Sequence, residues 1–257
     1  MTSPGGTTTH DLLNALAIPP CARVDRRMPK TLLLEHGATS AADRRKVIEG
    51  VQEVRWIAAL KPTTIGVPAF RDDTREYLEI EVLILTVRGG VPPRRIAEIL
   101  HRAIPYPVLA LVETAERHYF SASHKRNSQA QTNKVVLDGE SIEAETPRHG
   151  ELFATAFVNE LALDRQPRTS MLDLYQGWID TTVALLAARL TGHFEVLRSP
   201  ESRQTREKWL RECGELETVV SKLRSAAAKE KQISRQVALN LELKRAEARY
   251  TELISLL

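Results

Sequence analysis

The chain has 257 residues, of which 42% are apolar and 27% charged, and its formal net charge at pH 7 is +3. This composition excludes a chain that is disordered throughout, and it predicts one domain with an appendage or two small domains. No apolar run approaches the ~18 residues of a membrane span, and the first residues lack the basic-then-apolar order of a signal peptide. We therefore expect a cytoplasmic protein, with Cys21 and Cys213 reduced and too far apart for a Cys-x-x-Cys motif.

The first third of the chain shows alternating helix and strand signals. Residues 1–9, rich in Gly and Thr, predict a flexible tail, and a short helix is expected over residues 11–17. A second helix is predicted to begin at Ser40, a capping residue that Asp43 follows three positions later. A strand over residues 54–61 comes next, and its alternating apolar residues predict one common face. That face consists of Val54, Trp56, Ala58 and Leu60.

The strongest pattern in the chain is a strand, a helix and a second strand over residues 76–113. The first strand carries Glu79 and Glu81 on one face, which then continues with apolar residues. The helix over residues 93–103 has apolar residues at i, i+3, i+4, i+7 and i+8, a buried stripe. These residues are Ile96, Ile99, Leu100, Ala103 and Ile104. Residues 108–112 are apolar on both faces, so we expect a central strand parallel to the first, followed by an antiparallel return strand.

Helices are predicted to close this domain and to continue to the carboxyl end. Residues 151–198 have a helical pattern, and Ser170 with Asp173 marks the start of their longest helix. Over residues 199–257, two sets of apolar residues keep the 4–3 spacing of a coiled coil and form a seam. The seam side chains that we expect to bind a partner are Trp209, Leu216, Val220, Leu223, Leu239, Leu243, Tyr250 and Leu253.

The two halves of this seam are out of register with each other. Glu230 and Ser234 occupy positions where the first half requires apolar residues. Because such a helical segment is not stable alone in water, its seam must be covered by a copy of itself, a folded-back half, the globular part or another protein. The register break favours a hairpin that turns near residues 225–232, or two separate contact zones, over one long uniform dimer.

Several segments make the globular part similar to a known family. They are RRMPKTLLLEH (26–36), VRWIAALKPTTI (54–65), LEIEVLIL (78–85), AEILHRAIPYPVLALVE (97–113), SHKR (123–126) and LYQGWI (174–179). Through these segments, within residues 10–191, the chain resembles the bacterial proteins grouped as domain of unknown function 4391. The family is uncharacterised, so the resemblance supplies no catalytic residues. Its members typically occur beside helicase and DNA-methyltransferase genes, in restriction-like or phage-defence clusters, which implies an accessory role near DNA.

Two groups of side chains are candidates for chemistry. Basic residues, including His101, lie off the apolar stripe of the helix over 93–103, and more follow the return strand; together they predict a positive surface for a nucleic-acid backbone, with a solvated strand end as the alternative. These nucleic-acid candidates are Arg94, Arg95, Arg102, His124, Lys125 and Arg126. Glu79 and Glu81 could hold Mg²⁺ with Lys125 nearby, but the strand lacks the Glu-x-Lys spacing of restriction nucleases, and alternating glutamates are also typical of a solvated face.

We therefore expect an α/β (α+β) fold with a mixed central sheet of four or five strands within residues 10–150. Helices within residues 151–198 close this domain, and a long coiled-coil-like helix or helical hairpin follows over residues 199–257. The leading hypothesis is a non-catalytic accessory subunit of a DNA-modification or phage-defence complex, which binds a helicase or methyltransferase through the C-terminal segment. A Mg²⁺-dependent nuclease that uses Glu79 and Glu81, a DNA-binding module and a homo-oligomer are the alternatives. No metal site or cofactor is expected, because metal-binding clusters and phosphate-loop motifs are missing from the sequence.

Overall fold

The computed structural model describes residues 8–130, 134–148 and 150–257. The chain divides into two compact units, Met1–Thr182 and Val183–Leu257. The division falls within a continuous helix, whereas the sequence predicted a boundary at residues 198–199. Most of the predicted tail lies outside the described residues, and its last residue, Thr9, already belongs to a helix.

Six of the described strands form one mixed sheet in the first unit. The strands are β1 (Arg23–Met28), β2 (Val51–Leu60), β3 (Phe70–Arg71), β4 (Glu76–Tyr77), β5 (Ile80–Val87), β6 (Val108–Glu113), β7 (His118–Ala122), β8 (Lys125–Asn127), β9 (Val135–Leu137) and β10 (Ile142–Glu145). The main sheet has the order β1–β2–β5–β6–β7–β10, in which β5 and β6 are parallel and the other neighbours are antiparallel. Two small ladders pair β3 with β4 and β8 with β9.

Helices precede, connect and follow the strands. The α-helices of the described residues are α1 (Thr9–Ala15), α2 (Ala41–Gly50), α3 (Pro62–Ile65), α4 (Pro93–Ala103), α5 (Ala154–Glu160), α6 (Met171–Thr191), α7 (Pro200–Lys229) and α8 (Ile233–Ile254). The predicted crossover is confirmed, because α4 connects the parallel strands β5 and β6 and begins and ends at the predicted residues. None of the helices in the described ranges is long and apolar enough to cross a membrane.

One hydrophobic cluster of the first unit lies between the sheet and α4. The five stripe residues of α4 are buried, and they pack with alternate residues of the two parallel strands. The strand residues in this cluster are Leu83, Leu85, Val87, Val108, Ala110 and Val112. Pro105 ends α4, because a proline disfavours helical geometry in the residue before it, and Ile104 accordingly has an extended backbone.

The sheet differs from the prediction in three details. It has six strands rather than four or five, because β1 and β10 form its edges. β1 lacks an alternating apolar pattern, and β10 is only four residues long. The predicted common face of β2 is wrong, because a bulge between Trp56 and Ala58 turns the rest of the strand to the opposite face. The predicted strand over residues 76–87 is interrupted, since β4 ends at Tyr77 and β5 begins at Ile80.

The C-terminal segment forms a helical hairpin in the second unit. The side chain of Ser199 caps α7, and Pro200 occupies the first helical position, where its missing N–H does no harm. α7 ends at Lys229 and α8 begins at Ile233, so the chain turns in the predicted region. Glu230, which breaks the seam pattern in the sequence, is the residue that caps the end of α7.

Candidate functional site

Ion pairs neutralise much of the basic surface predicted on α4. Arg95 donates to both carboxylate oxygens of Asp43, with N–O distances of 2.9 and 2.8 Å, and also to Glu98. Arg102 pairs with the same Glu98. The hydrogen bond from Arg95 lowers the pKa of Asp43, which is buried. Arg95 therefore links α4 to α2, and both arginines also pair with Glu98 within α4.

His101, expected on the same basic face, is fully buried. Its Nε2 lies 3.0 Å from the hydroxyl oxygen of Ser121 on β7, which covers this side of α4. Burial lowers the pKa of His101 to about 3, so the imidazole is neutral at pH 7. The prediction that His101 contributes to a positive surface is therefore wrong.

All four arginines among the six candidate nucleic-acid residues keep some exposure, Arg95 and Arg102 at 32% and 30%. The side chain of Arg94 is 68% exposed and that of Arg126 is 37% exposed. Each guanidinium lies 3.6 Å from a carboxylate, that of Glu140 or of Asp138. Direct DNA binding stays a prediction, and the surface available for it is smaller than the sequence implied.

Lys125 occupies an internal position rather than the rim of the sheet. The residue is 2% exposed, and its ammonium donates to the backbone carbonyls of His101 and Ile104 at the end of α4. The last carbonyls of a helix have no partner within the helix and carry partial negative charge, so a cation is favourable there. Burial lowers the pKa of Lys125 to about 7. Lys125 is therefore a cap of α4 and is not placed to contact a phosphate.

The SHKR and LYQGWI segments meet in a hydrogen-bonded network. The hydroxyl of Tyr175 accepts a hydrogen bond from the backbone N–H of Ser123, at 2.8 Å. The Nδ1 of His124 lies 2.6 Å from the hydroxyl oxygen of Tyr77, and its Nε2 lies 2.8 Å from Oε1 of Gln176. His124 thus connects β4 to α6, so its ring is committed to packing and is not presented to an external ligand.

The first unit also contains an apolar pocket of about 180 Å³ with one charged residue in its wall, Glu81. The pocket is lined by Met28, Leu32, Trp56, Glu81, Leu83, Ala103, Ile104, Pro105 and Tyr106. Glu81 is 4% exposed, and the indole N–H of Trp56 donates to its carboxylate. Sequence reasoning placed Glu81 on a half-exposed face and did not predict the pocket, because its walls come from four separate segments.

Glu79 was predicted on the same strand face as Glu81, but it lies in the break between β4 and β5, and it pairs with another element. Its carboxylate is 3.1 Å from the ammonium of Lys61. Its charge raises the pKa of the Tyr106 hydroxyl. Burial, and next the negative charge of Glu79, raises the pKa of Glu81 to about 7. The two glutamates therefore differ in role, since Glu81 is desolvated while Glu79 forms an ion pair nearer to solvent.

Among the residues that the structure describes, Glu79 and Glu81 do not belong to a metal site. No group of three His, Cys, Asp or Glu side chains among these residues is placed to hold a metal ion. Lys125, which the nuclease hypothesis would have used, is engaged at the end of α4. Metal-dependent hydrolysis requires several oxygen ligands around the ion, so this geometry adds no support to the nuclease hypothesis.

We expect the indole N–H of Trp56 to report the protonation of Glu81. Because this group donates to the carboxylate, its proton NMR signal should titrate with a midpoint near pH 7. The titration should be absent in Glu81→Gln, while the signals of Trp178 and Trp209 stay unchanged in both proteins. A midpoint below pH 5 would contradict the raised pKa of this carboxyl.

The two halves of the C-terminal seam cover each other. Arg206 donates to the backbone carbonyl of Leu257 at the open end of the hairpin, at 3.0 Å. Near the turn, Gln236 donates to the carbonyl of Ala227, at 3.3 Å. In the antiparallel register that these two contacts set, the seam positions of α7 stand opposite those of α8. A folded-back half therefore covers the seam, which is one of the four coverings that the sequence allowed.

The side chains predicted to bind a partner consequently pack inside the hairpin. Leu253 is buried and the other seven are half-buried; they are Trp209, Leu216, Val220, Leu223, Leu239, Leu243 and Tyr250. Their assignment to a partner stays a prediction, and the opposite helix of the hairpin already covers part of each seam. Pairing within the chain has no loss of translational freedom, so it is favoured over the same contact between molecules.

A different apolar stripe of the hairpin is exposed. It consists of Ile233, Val237 and Leu241, which are 76%, 53% and 54% exposed. Their i, i+4, i+8 spacing places them on one face of α8, and that face points away from the seam. We refer to these three residues as the α8 stripe. Sequence reasoning missed it because the longer 4–3 pattern beside it dominates the segment.

A family match covers most of the chain. The sequence model of the family described as Domain of unknown function (DUF4391) matches residues 16–249. No curated protein and no solved structure matches the chain. The match extends beyond residue 191, where the resemblance seen in the sequence ended, and it includes α7 and most of α8. The hairpin therefore lies within the matched region and is not an appendage to it.

Proposed function

We propose, from the premise that the chain belongs to the family Domain of unknown function (DUF4391), that it is a non-catalytic accessory subunit that binds another protein through its C-terminal hairpin. The partner that we propose is the helicase or DNA methyltransferase of a bacterial restriction-modification or phage-defence complex in the cytoplasm. This choice rests on the family resemblance. The observation that carries the docking proposal is the exposure of the α8 stripe, Ile233, Val237 and Leu241.

Three large apolar side chains in successive turns are a strong driving force for association. Full burial of each such side chain contributes about 1.5–3 kcal/mol relative to exposure. Anchors at i, i+4 and i+8 are typical of a helix that lies in the apolar groove of another protein. Two exposed charged residues, Lys244 and Arg245, lie one turn after Leu241 on or beside the same face, and they suit the polar rim of an interface.

The charge of the hairpin favours an acidic surface around that groove. Residues 201–257 contain 12 Lys and Arg against 9 Asp and Glu, and the rest of the chain is balanced, with 24 of each. The whole formal excess of +3 therefore lies on the segment that carries the stripe. Complementary charge at the rim of an interface raises the association rate and helps to select the partner.

The test combines the full-length chain with the purified products of any helicase and DNA-methyltransferase genes that lie beside its own gene. We expect one of them to form a complex in light scattering, and Val237→Glu/Leu241→Glu to weaken binding at least 30-fold, about 2 kcal/mol, in calorimetry. Ala238→Glu is the matched control, because it adds a charge to the same turn about 100° around the helix. It should bind within threefold of the wild type.

The proposal has clear contrary outcomes. A complex that tolerates the double substitution would place the contact elsewhere on the chain. If neither gene product forms a complex with the chain, neither of them is the partner. If instead the wild type forms a dimer that the double variant loses, the occupant of the α8 stripe is a second copy. Circular dichroism should show that both variants retain the hairpin.

A further inference from the structure

The pocket around Glu81 combines an apolar wall with one desolvated carboxyl group, and the interaction function proposed above does not use it. We propose that this pocket is a binding site for a small organic amine, in which Glu81 receives the ammonium group and the apolar wall receives the carbon body. The inference does not depend on the hairpin, because every lining residue belongs to the first unit.

The volume of the pocket sets the size of the amine. A cavity of about 150 Å³ is sufficient for a benzene ring, and this pocket measures about 180 Å³. It therefore has room for one ring or a branched chain with a short linker. Its wall consists of aliphatic, aromatic and proline side chains apart from Glu81, so a body with several polar groups would lose hydration without compensation.

The charges around the pocket favour a cation over a neutral or anionic group. The indole N–H of Trp56 donates to Oε2 of Glu81, which leaves the other carboxylate oxygen for a ligand. Glu79 adds a second negative charge beside Glu81, and Lys61 faces Glu79 from a side chain that is 51% exposed. With both glutamates ionised, this group carries one excess negative charge. An ammonium group on Glu81 would neutralise it.

Aromatic rings strengthen the same preference. Trp56 and Tyr106 both line the pocket that contains the Glu81 carboxyl. The face of an aromatic ring attracts a cation, and this attraction is stronger where the cation is desolvated. A carboxylate flanked by aromatic rings is thus a chemically suitable receptor for an alkylammonium group.

The wall that carries Tyr106 is held in place before any ligand arrives. Pro105 and Pro107 restrict the backbone on both sides of Tyr106. The carbonyl of Ile104, in the same wall, accepts a hydrogen bond from the buried Lys125, at 2.6 Å. A pocket that is already formed loses less conformational entropy on binding, which favours affinity for a small ligand.

The pocket also unites segments that carry the family resemblance. Its lining residues fall within RRMPKTLLLEH, VRWIAALKPTTI, LEIEVLIL and AEILHRAIPYPVLALVE. These segments are far apart in sequence, and the fold brings one or more residues of each to a single cavity. The proposed amine site is therefore a property that other members with these segments should share.

The experiment compares phenethylamine with 2-phenylethanol, which has the same carbon body but no cation. Calorimetry with the full-length protein at pH 8 should give at least tenfold tighter binding of the amine. Glu81→Gln keeps the shape of the side chain and an acceptor for Trp56. It should abolish the preference for phenethylamine over 2-phenylethanol. Tyr106→Ala, in an exposed loop position, should weaken the binding of phenethylamine at least fivefold with no effect on folding.

The pH dependence gives an independent readout. Because the amine requires an ionised Glu81, its affinity should rise between pH 6 and pH 8 and then level off, and 2-phenylethanol should show no such rise. Equal affinity of the two probes for the wild type, an unchanged preference in folded Glu81→Gln, or no binding of either probe would overturn the proposal. Val237→Glu/Leu241→Glu should bind phenethylamine normally, which separates this site from the docking surface.

Discussion

Replacing Lys125 by methionine is expected to lower the free energy of unfolding by about 3 kcal/mol at pH 9, and by less at pH 7. The side-chain nitrogen donates to two carbonyls at the end of α4, and the residue is 2% exposed. Because burial lowers its pKa to about 7, this group is a neutral amine at pH 9 that keeps both donors. Methionine has a similar shape and no donor, so it would leave both carbonyls without a partner. Each buried group that loses its hydrogen bond costs about 1–3 kcal/mol.

The pH dependence follows from the direction of the pKa shift. Burial lowers the pKa of Lys125 from 10.5 in the unfolded chain to about 7 in the folded protein. Between these values the unfolded chain binds a proton that the folded protein does not bind. The contribution of Lys125 to the free energy of unfolding is therefore fully present above the unfolded pKa. It is lost as the pH falls toward 7, by up to about 1.4 kcal/mol per pH unit.

Urea denaturation at pH 7, 8 and 9 measures this effect. From pH 7 to pH 9 the wild type should gain about 2 kcal/mol relative to Lys125→Met. The comparison cancels the loss that the raised pKa values of Glu81 and Glu143 cause in both proteins over this range. Measurements stop at pH 9 because the raised pKa values of Tyr77 and Tyr175 oppose the gain at higher pH. Lys134→Met, at an exposed position, should behave as the wild type. Equal pH slopes in wild type and Lys125→Met would show that this lysine is not desolvated.

Gly37→Ala is expected to destabilise the first unit by about 3 kcal/mol, through a steric clash with α4. A methyl group at Gly37 would lie 2.3 Å from the carbonyl oxygen of Ile99 and 3.0 Å from Cβ of Ala103. The nearest atom belongs to the backbone of a helix, which cannot rotate away as a side chain does. The segment around residue 37 and α4 must therefore separate.

Gly89→Ala provides the matched control for this effect. Nothing lies within 4 Å of the methyl group that it adds, and it changes the entropy of the unfolded chain in the same way. Its free energy of unfolding should stay within about 0.5 kcal/mol of the wild type. If Gly37→Ala proved equally neutral, the close approach to Ile99 would be wrong. Because Ala103 and Leu32 line the pocket, Gly37→Ala should also weaken phenethylamine binding if the amine site exists.

Local sequence patterns predicted the elements that depend on neighbouring residues. The stripe of α4 and the apolar strand β6 follow from periodicity over about ten residues, and Pro105 marks the end of the helix between them. The edge strands gave weaker signals, because β1 has no periodic pattern and the alternation of β10 covers only four residues. One side of each strand lacks a neighbour, so charged residues are tolerated there. The bulge in β2 was also invisible, since an inserted residue leaves the composition of the strand unchanged.

The candidate sites depended on contacts between distant segments. Lysine is usually a surface residue, and only the approach of the end of α4 makes Lys125 an internal cap. Glu79 and Glu81 were found from their spacing, but the pocket that distinguishes Glu81 from Glu79 needs β1, β2 and the loop after α4. The C-terminal seam was found as well, while its covering was left open among four alternatives.

The sequence by itself determined the family, the order of the central elements and the presence of an apolar seam near the carboxyl end, because each of these is written in residues close together along the chain. Only the tertiary structure decided which charges are buried, what covers the seam and where a pocket forms. Desolvation and steric contact depend on groups that are far apart in sequence and close in space, and a linear pattern does not encode which of them meet.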